Sequence, residues 1–216
     1  MKIKAAYGIF VVFCGLALAQ VTAVRAETIN IVGLGDSLMA GFELPPDDAF
    51  PARLETALRD KGYDVSIANA GVSGDTSSGG LARLDWSVPD GTDGVLVELG
   101  GNDALRGISP EQTKQNIDEI ITRLKDRGIA VLLIGMMAPP NMGADYGENF
   151  NGLFSELAKQ HGVPLYPFFL DGVALNPELD IGDGIHPNAD GVTVMVSRFL
   201  PVAEAFVSDI SVKVDE

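Results

Sequence analysis

The sequence predicts an α/β fold on a parallel sheet, and two observations support this prediction. Short apolar runs alternate along the chain with longer amphipathic stretches, the pattern of strands alternating with helices. Helices of this length separate the strands too widely for hairpins, so the strands are expected to pair in parallel through right-handed crossovers. A ligand site is then expected in the loops at the carboxyl ends of the strands.

The first 26 residues are set apart from the fold because they have the pattern of a secretory signal. A basic start, MKIK, is followed by an apolar run over residues 5–19. Cleavage is expected after Ala26, with Ala19 as second choice. An uncleaved membrane anchor is the alternative, but the run is shorter than the roughly 20 residues that a spanning helix needs. We therefore expect a single domain over residues 27–216, exported to the periplasm or secreted, with no stable membrane insertion.

The expected mature chain has 190 residues and is strongly acidic. It carries 12 basic and 30 acidic side chains, a net charge of −18. Phosphate backbones and anionic membranes are bound mainly by lysine and arginine, so this charge argues against a nucleic-acid role. Cys14 is the only cysteine and lies in the expected signal, so the mature domain is expected to lack disulfides and thiol nucleophiles.

Five apolar runs are predicted as strands and four amphipathic stretches as helices. The strands are expected at residues 28–34, 64–69, 94–99, 130–136 and 163–166. The helices are expected at residues 49–61, 110–127, 150–160 and 189–208. The second helix is the clearest, because Ser109 is a natural N-cap, Gln112 completes a capping box and Gly128 supplies a left-handed stop. The apolar faces of the long helices are interpreted as core.

The stretch GLGDSL, residues 33–38, follows the first predicted strand. A dinucleotide-binding loop would have a third glycine where Leu38 stands, and a Walker-type phosphate loop would have a lysine before serine or threonine. Two interpretations of Ser37 remain, a structural turn or a nucleophile. A serine nucleophile needs a histidine base that is itself oriented by a carboxylate.

The chain offers two histidines for that role. His161 stands near the end of a predicted helix, where we expect it to complement the helix terminus. His186 lies in DGIHPN, three residues after Asp183, and a loop of that length can fold back so that the carboxylate meets one ring nitrogen. A structural Asp–His pair would have the same spacing.

Two glycine-rich loops offer donors for an oxyanion. NAGVSGDTS follows the second predicted strand, and either Gly71 or Gly74 could present a backbone N–H. LGGNDALRG follows the third, and the Asn102 side chain could donate to developing negative charge. Each loop taken singly is also an ordinary turn.

Together, GDSL, SGDTSSGGLARL, ELGGND and DGIHPN resemble the SGNH (GDSL) hydrolase family. Within it they look most like the bacterial periplasmic multifunctional esterases of thioesterase I, lysophospholipase and arylesterase type. The resemblance implies a flavodoxin-like three-layer α/β/α sandwich with a parallel sheet of about five strands. It also implies site roles: Ser37 as nucleophile, His186 as base and acid, Asp183 as its partner, and Gly74, Asn102 and the Ser37 N–H as oxyanion donors. The choice of Gly74 over Gly71 rests on this resemblance.

The implied activity is hydrolysis of acyl esters or thioesters through an acyl-serine intermediate, with a small acyl ester or lipid as substrate and no cofactor. A carbohydrate or peptidoglycan O-acetylesterase is the alternative on the same fold, and a non-catalytic binding module is a third hypothesis. Asp36, Asp75 and Asp103 with His186 also permit a metal-site interpretation. We favour carboxylates that fix their turns, because the family needs no metal.

Three further segments lie near the expected site or are possible substrate contacts. Residues 103–108 resemble a mobile loop beside the acyl site, or are a simple connector. Residues 138–151 are expected to form a flexible rim, in which Met142 and Tyr146 either contact an acyl or aryl group or pack beneath the loop. Trp86 is expected to pack at a helix end.

Overall fold

The structure, a computed structural model, describes residues 28–214. Its centre is one parallel sheet of five strands in the order β2-β1-β3-β4-β5. The strands are β1 (Ile29–Gly35), β2 (Val65–Gly71), β3 (Gly94–Glu98), β4 (Ala130–Ile134) and β5 (Leu165–Tyr166). This strand order is that of flavodoxin-like doubly wound folds, so the predicted fold class is confirmed. The predicted signal at residues 1–26 lies outside the described residues.

Eight α-helices connect and cover the strands. They are α1 (Ser37–Ala40), α2 (Phe50–Asp60), α3 (Ser77–Ala82), α4 (Leu84–Ser87), α5 (Gly101–Leu105), α6 (Pro110–Asp126), α7 (Ala144–His161) and α8 (Ala189–Val214). Helices α2 and α8 pack together on one side, against β2 and β1. Helices α3, α6 and α7 pack together, and α6 and α7 also contact β4. These contacts give the predicted sandwich, with the apolar core on both faces of the sheet.

The predictions for α2 and α6 are confirmed, with one exception at the start of α6. The Ser109 side chain accepts the Gln112 backbone N–H at 3.2 Å, and Gly128 follows the helix with φ of 76°. The capping box is incomplete, because the Gln112 amide donates to Asn116 at 3.1 Å instead of turning back to Ser109. The Gln112 side chain therefore bonds to Asn116, one turn later in α6, in place of the expected contact with the Ser109 backbone.

Two helices are longer than predicted. Helix α7 begins at Ala144 rather than at residue 150, so much of the segment expected to be a flexible rim is helical. Helix α8 continues past residue 208 to Val214 and contains Pro201. By length and composition α8 could cross a membrane, but its predicted apolar face is buried in the core, as Phe199, Ala203 and Phe206 show.

The prediction that Trp86 packs at a helix end is wrong, since the indole is 75% exposed. Helix α4 is a single turn whose Leu84 is buried in the core. Trp86 lies two residues further along this helix and therefore points to the opposite side, into solvent.

Candidate active site

The carboxyl ends of β1, β2 and β3 and the loop before α8 meet at one edge of the sheet. The nucleophile candidate Ser37 comes two residues after the end of β1, Gly74 three residues after β2, and Asn102 near the start of the helix after β3. Because β1 lies between β2 and β3, these three positions are neighbours in space. The fold thus brings together segments that are far apart in the sequence.

Ser37, His186 and Asp183 form one hydrogen-bonded chain. The Ser37 hydroxyl lies 2.9 Å from His186 Nε2, and His186 Nδ1 lies 2.6 Å from Asp183 Oδ2. With the ring proton on Nδ1, that N–H donates to Asp183 and Nε2 is free to accept the serine proton. Ser37 is 9% exposed and the His186 side chain is 17% exposed, so both side chains are mostly buried but still reach solvent.

The loop that carries His186 is held by Asp183. Its second oxygen, Oδ1, accepts the backbone N–H groups of Ile185 and His186, both at 2.9 Å. Burial acts to raise the pKa of Asp183, but the hydrogen bonds from His186 and Ile185 outweigh it and lower the pKa to about 2. The Phe42 ring lies 4.5 Å from the imidazole, centroid to centroid, and limits its movement from another side.

The turn that presents Ser37 is built by Asp36. The Asp36 side chain caps α1 by accepting the Leu38 N–H at 3.0 Å, and Gly41 ends that helix after a single turn. Ser37 is the first residue of α1, so its N–H lies ahead of any helical acceptor. Ser37 as a turn residue and Ser37 as a candidate nucleophile are compatible, because the turn places the hydroxyl beside His186.

Three candidate donors stand after β1, β2 and β3: the Ser37 N–H, the Gly74 N–H and the Asn102 side-chain amide. Gly74 has φ of 84°, a backbone conformation that favours glycine, and no acceptor within the described residues takes its N–H. The Gly71 N–H, by contrast, already donates to the Asn69 side chain at 2.9 Å. The Asn102 side-chain amide donates one N–H to Asp36 at 3.0 Å, and its second N–H has no acceptor within the described residues.

Buried polar contacts bind the second and third loops together. The carboxylate of Asp103, next to Asn102, accepts the Ser77 backbone N–H at 2.8 Å and both the Ser77 and Thr113 hydroxyls. Asn116 of α6 donates to the Ser77 hydroxyl at 2.9 Å. Asp103, Ser77 and Thr113 are all fully buried, so a buried hydrogen-bond network fixes the spacing between the loops of Gly74 and Asn102.

Arg83 joins the first and second loops. It donates to the carbonyls of Gly35 and Ala70 at 2.8 and 2.7 Å and pairs with Asp75 at 2.6 Å. Gly35 stands two residues before Ser37, and Asp75 directly follows Gly74. The guanidinium therefore sets the distance between the nucleophile turn and the glycine loop.

These contacts bear on the metal-site interpretation of Asp36, Asp75 and Asp103. Each carboxylate already has protein partners: Asp36 accepts from Leu38 and Asn102, Asp75 pairs with Arg83, and Asp103 accepts from Ser77 and Thr113. Within residues 28–214, no group of three or more histidine, cysteine, aspartate or glutamate side chains is arranged to hold a metal ion.

Three residues that support the site, Arg83, Ser77 and Glu98, were not predicted from the sequence. Glu98 ends β3 and is fully buried beneath the Ser37 turn. It is the single charged residue in the apolar run GVLVE, and a charge within a buried strand is a signal that could have been followed. Arg83 and Ser77 lie within the motif SGDTSSGGLARL, but their contacts cross the sheet edge, and the local sequence does not indicate which partners they have.

Tyr146 is one of the residues predicted either to contact an acyl group or to pack beneath its loop. Tyr146 packs rather than facing the site, because its hydroxyl donates to the Ile108 carbonyl at 2.7 Å and its ring stacks on Phe150. Four large apolar side chains are exposed at this edge, three in loops and one at the end of α5: Val72, Met137, Ile185 and Leu105. His161 is the last residue of α7, as expected, and its ring pairs with Asp118 of α6.

Comparison with known proteins gives one consistent result. The family described as GDSL-like lipase/acylhydrolase matches residues 34–194. A Vibrio mimicus protein named arylesterase is 38% identical over 179 residues, 82% of this chain and 86% of the relative. An Escherichia coli K12 protein named thioesterase 1/protease 1/lysophospholipase L1 is 43% identical over 179 residues, 82% of this chain and 84% of the relative.

A solved structure described as AlinE4, an SGNH-hydrolase family esterase, is 46% identical to the chain with a TM-score of 0.71. The match covers 84% of this chain and 98% of that one. The residues that the family model matches, 34–194, include every segment of the site, from the end of β1 to the loop that carries His186.

Proposed function

Because the chain belongs to the GDSL-like lipase/acylhydrolase family and is a serine esterase, we propose that Ser37 is its nucleophile, with His186 as general base and Asp183 as the partner that orients the ring. The observation that carries this proposal is the hydrogen-bonded chain from Ser37 through His186 to Asp183 at 2.9 and 2.6 Å. A hydroxyl in that position can lose its proton as it attacks.

In the first half of the reaction, Ser37 Oγ attacks the ester carbonyl and His186 Nε2 takes the hydroxyl proton. The carbonyl oxygen becomes an oxyanion, which the backbone N–H groups of Ser37 and Gly74 and the free N–H of Asn102 stabilise. His186 then returns the proton to the departing alcohol or thiol, and the acyl group remains on Ser37. Asp183 stays ionised throughout and stabilises the imidazolium that forms in between.

In the second half, water attacks the acyl-serine carbonyl. His186 takes a proton from that water, the oxyanion forms again at the same donors, and collapse releases the carboxylic acid. Ser37 recovers its proton from His186. The same groups act in both halves, which is why a single arrangement of three side chains is sufficient.

The acyl group is expected to lie on the exposed apolar side chains at the edge of the site. Leu105 and Met137 are each 52% exposed, Ile185 is 44% exposed and Val72 is 41% exposed. Apolar side chains left in water around a reactive serine favour an apolar substrate. We therefore expect medium-chain or long-chain acyl esters, lysophospholipids among them, to be hydrolysed faster than acetyl esters.

The test is hydrolysis of p-nitrophenyl esters from acetyl to palmitoyl, with the Ser37→Ala variant in parallel. Ser155→Ala is the matched control, since Ser155 is an exposed serine on α7 whose hydroxyl bonds only within its own helix. Activity lost in Ser37→Ala and kept in Ser155→Ala supports the proposal. Full activity in Ser37→Ala contradicts it, and activity confined to acetyl redirects the substrate to O-acetylated carbohydrate.

Export is part of the same proposal. The signal pattern of residues 1–26 supports cleavage after Ala26 and a single hydrolase domain over residues 27–216 in the periplasm or outside the cell. Mass measurement of the exported protein should give a chain that begins at Glu27. A protein that keeps residues 1–26 in the cell membrane would contradict this part of the proposal.

A further inference from the structure

Glu98 is a buried carboxyl group that the proposed mechanism does not use. It is 0% exposed and pairs in register with Gly35, two residues before Ser37. Its Oε2 accepts the Asp36 backbone N–H at 3.1 Å. A Cβ atom added at Gly35 would lie 2.5 Å from that oxygen, so the β1 backbone lies directly against the carboxyl group.

The surroundings of Glu98 favour its protonated form over the ionised carboxylate. Its Oε1 is buried, and no N–H or hydroxyl group within the described residues donates to it. Burial and the negative charge of Asp36 raise the pKa of Glu98 well above its ordinary value. An ionised carboxylate in this place would have the backbone N–H groups of Asp36 and Met39 as donors and no cation among its described neighbours, which is a costly arrangement for a fully buried charge.

Asp36 is the group that lies within hydrogen-bond reach of Glu98. Burial raises the pKa of Asp36 as well, but the Leu38 N–H, the Asn102 amide and the positive charge of His186 oppose that rise. Two adjacent buried carboxyl groups do not both ionise, and the donors collected on Asp36 decide between them. Asp36 is therefore the carboxylate and Glu98 holds the proton.

We propose that Glu98 is a positioning residue of the hydrolytic site: it stands in the acid form and donates to Asp36, which as a carboxylate holds the Asn102 amide in place for the oxyanion. This inference rests on the proposed function, since it assigns Glu98 a role through Asn102 and the Ser37 turn.

The physical effect passes through one side-chain amide. Asp36 Oδ2 accepts one hydrogen of Asn102 Nδ2 at 3.0 Å, and the planar amide then directs its second hydrogen away from Asp36. The acid proton of Glu98 also keeps a second negative charge away from the place where the oxyanion forms. Loss of a whole oxyanion donor costs about 10²–10³ in rate, so loss of its support should cost less than that.

Two variants of Glu98 separate a proton-donor role from a merely structural one. Glu98→Gln keeps an acceptor for the Asp36 N–H and supplies an N–H donor to the Asp36 carboxylate. Its kcat should stay within about threefold of wild type. Glu98→Leu keeps the size but removes both groups, and its kcat should fall by about 10–100-fold with KM changed less than about twofold.

The proton itself is observable by infrared spectroscopy. At neutral pH the difference spectrum between wild type and Glu98→Gln should contain the C=O stretch of one protonated carboxyl group. This measurement compares the wild type with one variant that keeps the buried polar contacts, so it tests the inference even where Glu98→Leu does not fold.

Three results would overturn the inference: full activity in Glu98→Leu, a Glu98→Gln variant as impaired as Glu98→Leu, or no protonated-carboxyl band. Ser37→Ala in the same assay separates this failure from that of the proposed function. An active Ser37→Ala variant overturns the nucleophile. An inactive Ser37→Ala beside a fully active Glu98→Leu overturns only the role of Glu98.

Discussion

Replacement of Arg83 by methionine should destabilise the protein and impair catalysis together. The Arg83 side chain is 8% exposed and donates to Asp75, to the Gly35 and Ala70 carbonyls and to the Ser87 hydroxyl. Methionine has a similar stem length but no donor. The substitution therefore leaves the acceptors in place and removes the group that satisfied them.

The expected cost follows from what is left behind. Breaking a buried ion pair by removal of one partner costs about 3–5 kcal/mol, because the other charge is left without compensation. The Asp75 side chain is 17% exposed, so water offsets this only in part. For a domain of this size, a loss of that magnitude lowers the melting temperature by roughly 6–20 °C.

The catalytic effect comes from the loops that Arg83 joins. Without the guanidinium, the turn before Ser37 and the loop that carries Gly74 lose their shared anchor. A displacement of about 1 Å in such a site costs up to about 10²-fold in rate, so we expect kcat to fall by about 10–100-fold at a temperature where the variant is folded.

Urea denaturation and ester hydrolysis measure the two effects, with Arg53→Met as the matched control. Arg53 pairs with Asp48 on the surface, where its side chain is 42% exposed, and such pairs contribute about 1 kcal/mol or less. An Arg83→Met variant that loses no more stability than Arg53→Met, or that loses stability while kcat is unchanged, would contradict the role assigned to Arg83.

Three further predictions concern Asp183, Asn102 and Ser77. Asp183→Asn should lower kcat by about 10²–10⁴-fold. Because the folded-state pKa of Asp183 is depressed to about 2, its stabilising contribution is present above its ordinary pKa of 3.8 and is lost as pH falls toward 2. The melting temperatures of wild type and Asp183→Asn should therefore converge over that range. Asn102→Ala should lower kcat by about 10²–10³-fold with little change in KM. Ser77→Ala should cost about 1–3 kcal/mol, because Asp103 and Asn116 lose a buried partner.

Each of these predictions has a result that contradicts it. A difference in melting temperature between wild type and Asp183→Asn that stays constant from pH 4 to pH 2 would contradict the assigned titration. A rise in KM at unchanged kcat would place Asn102 in substrate binding rather than at the oxyanion. Ser78→Ala is the control for Ser77, since Ser78 is exposed in the same helix, and equal losses in the two variants would remove the role of the network.

The fold could be predicted because its signals are local. Each strand of the sheet is an apolar run of its own, and Ser109 and Gly128 mark the ends of α6 within a few residues. The start of α7 was missed because Gly143 and two prolines before it resemble a loop, while tertiary contacts such as the stacking of Tyr146 on Phe150 stabilise the first turns as helix.

The site was predictable to the extent that its motifs are contiguous. Asp183 and His186 are three residues apart, and their contact follows from a short loop. The contacts of Arg83 with Gly35 and of Asp103 with Ser77 join segments 48 and 26 residues apart, and they depend on the strand order. Local sequence patterns do not indicate which distant residues meet, so the contacts that support the site are visible only in the folded structure.

The central claim is that Ser37 is the nucleophile activated by His186, and fluorophosphonate labelling with peptide mapping tests it most directly. The expected result is one phosphonyl group per chain, on the peptide that contains Ser37, with labelling slowed strongly in His186→Ala and abolished in Ser37→Ala. Labelling at another serine, or equal labelling in Ser37→Ala and wild type, would contradict the account.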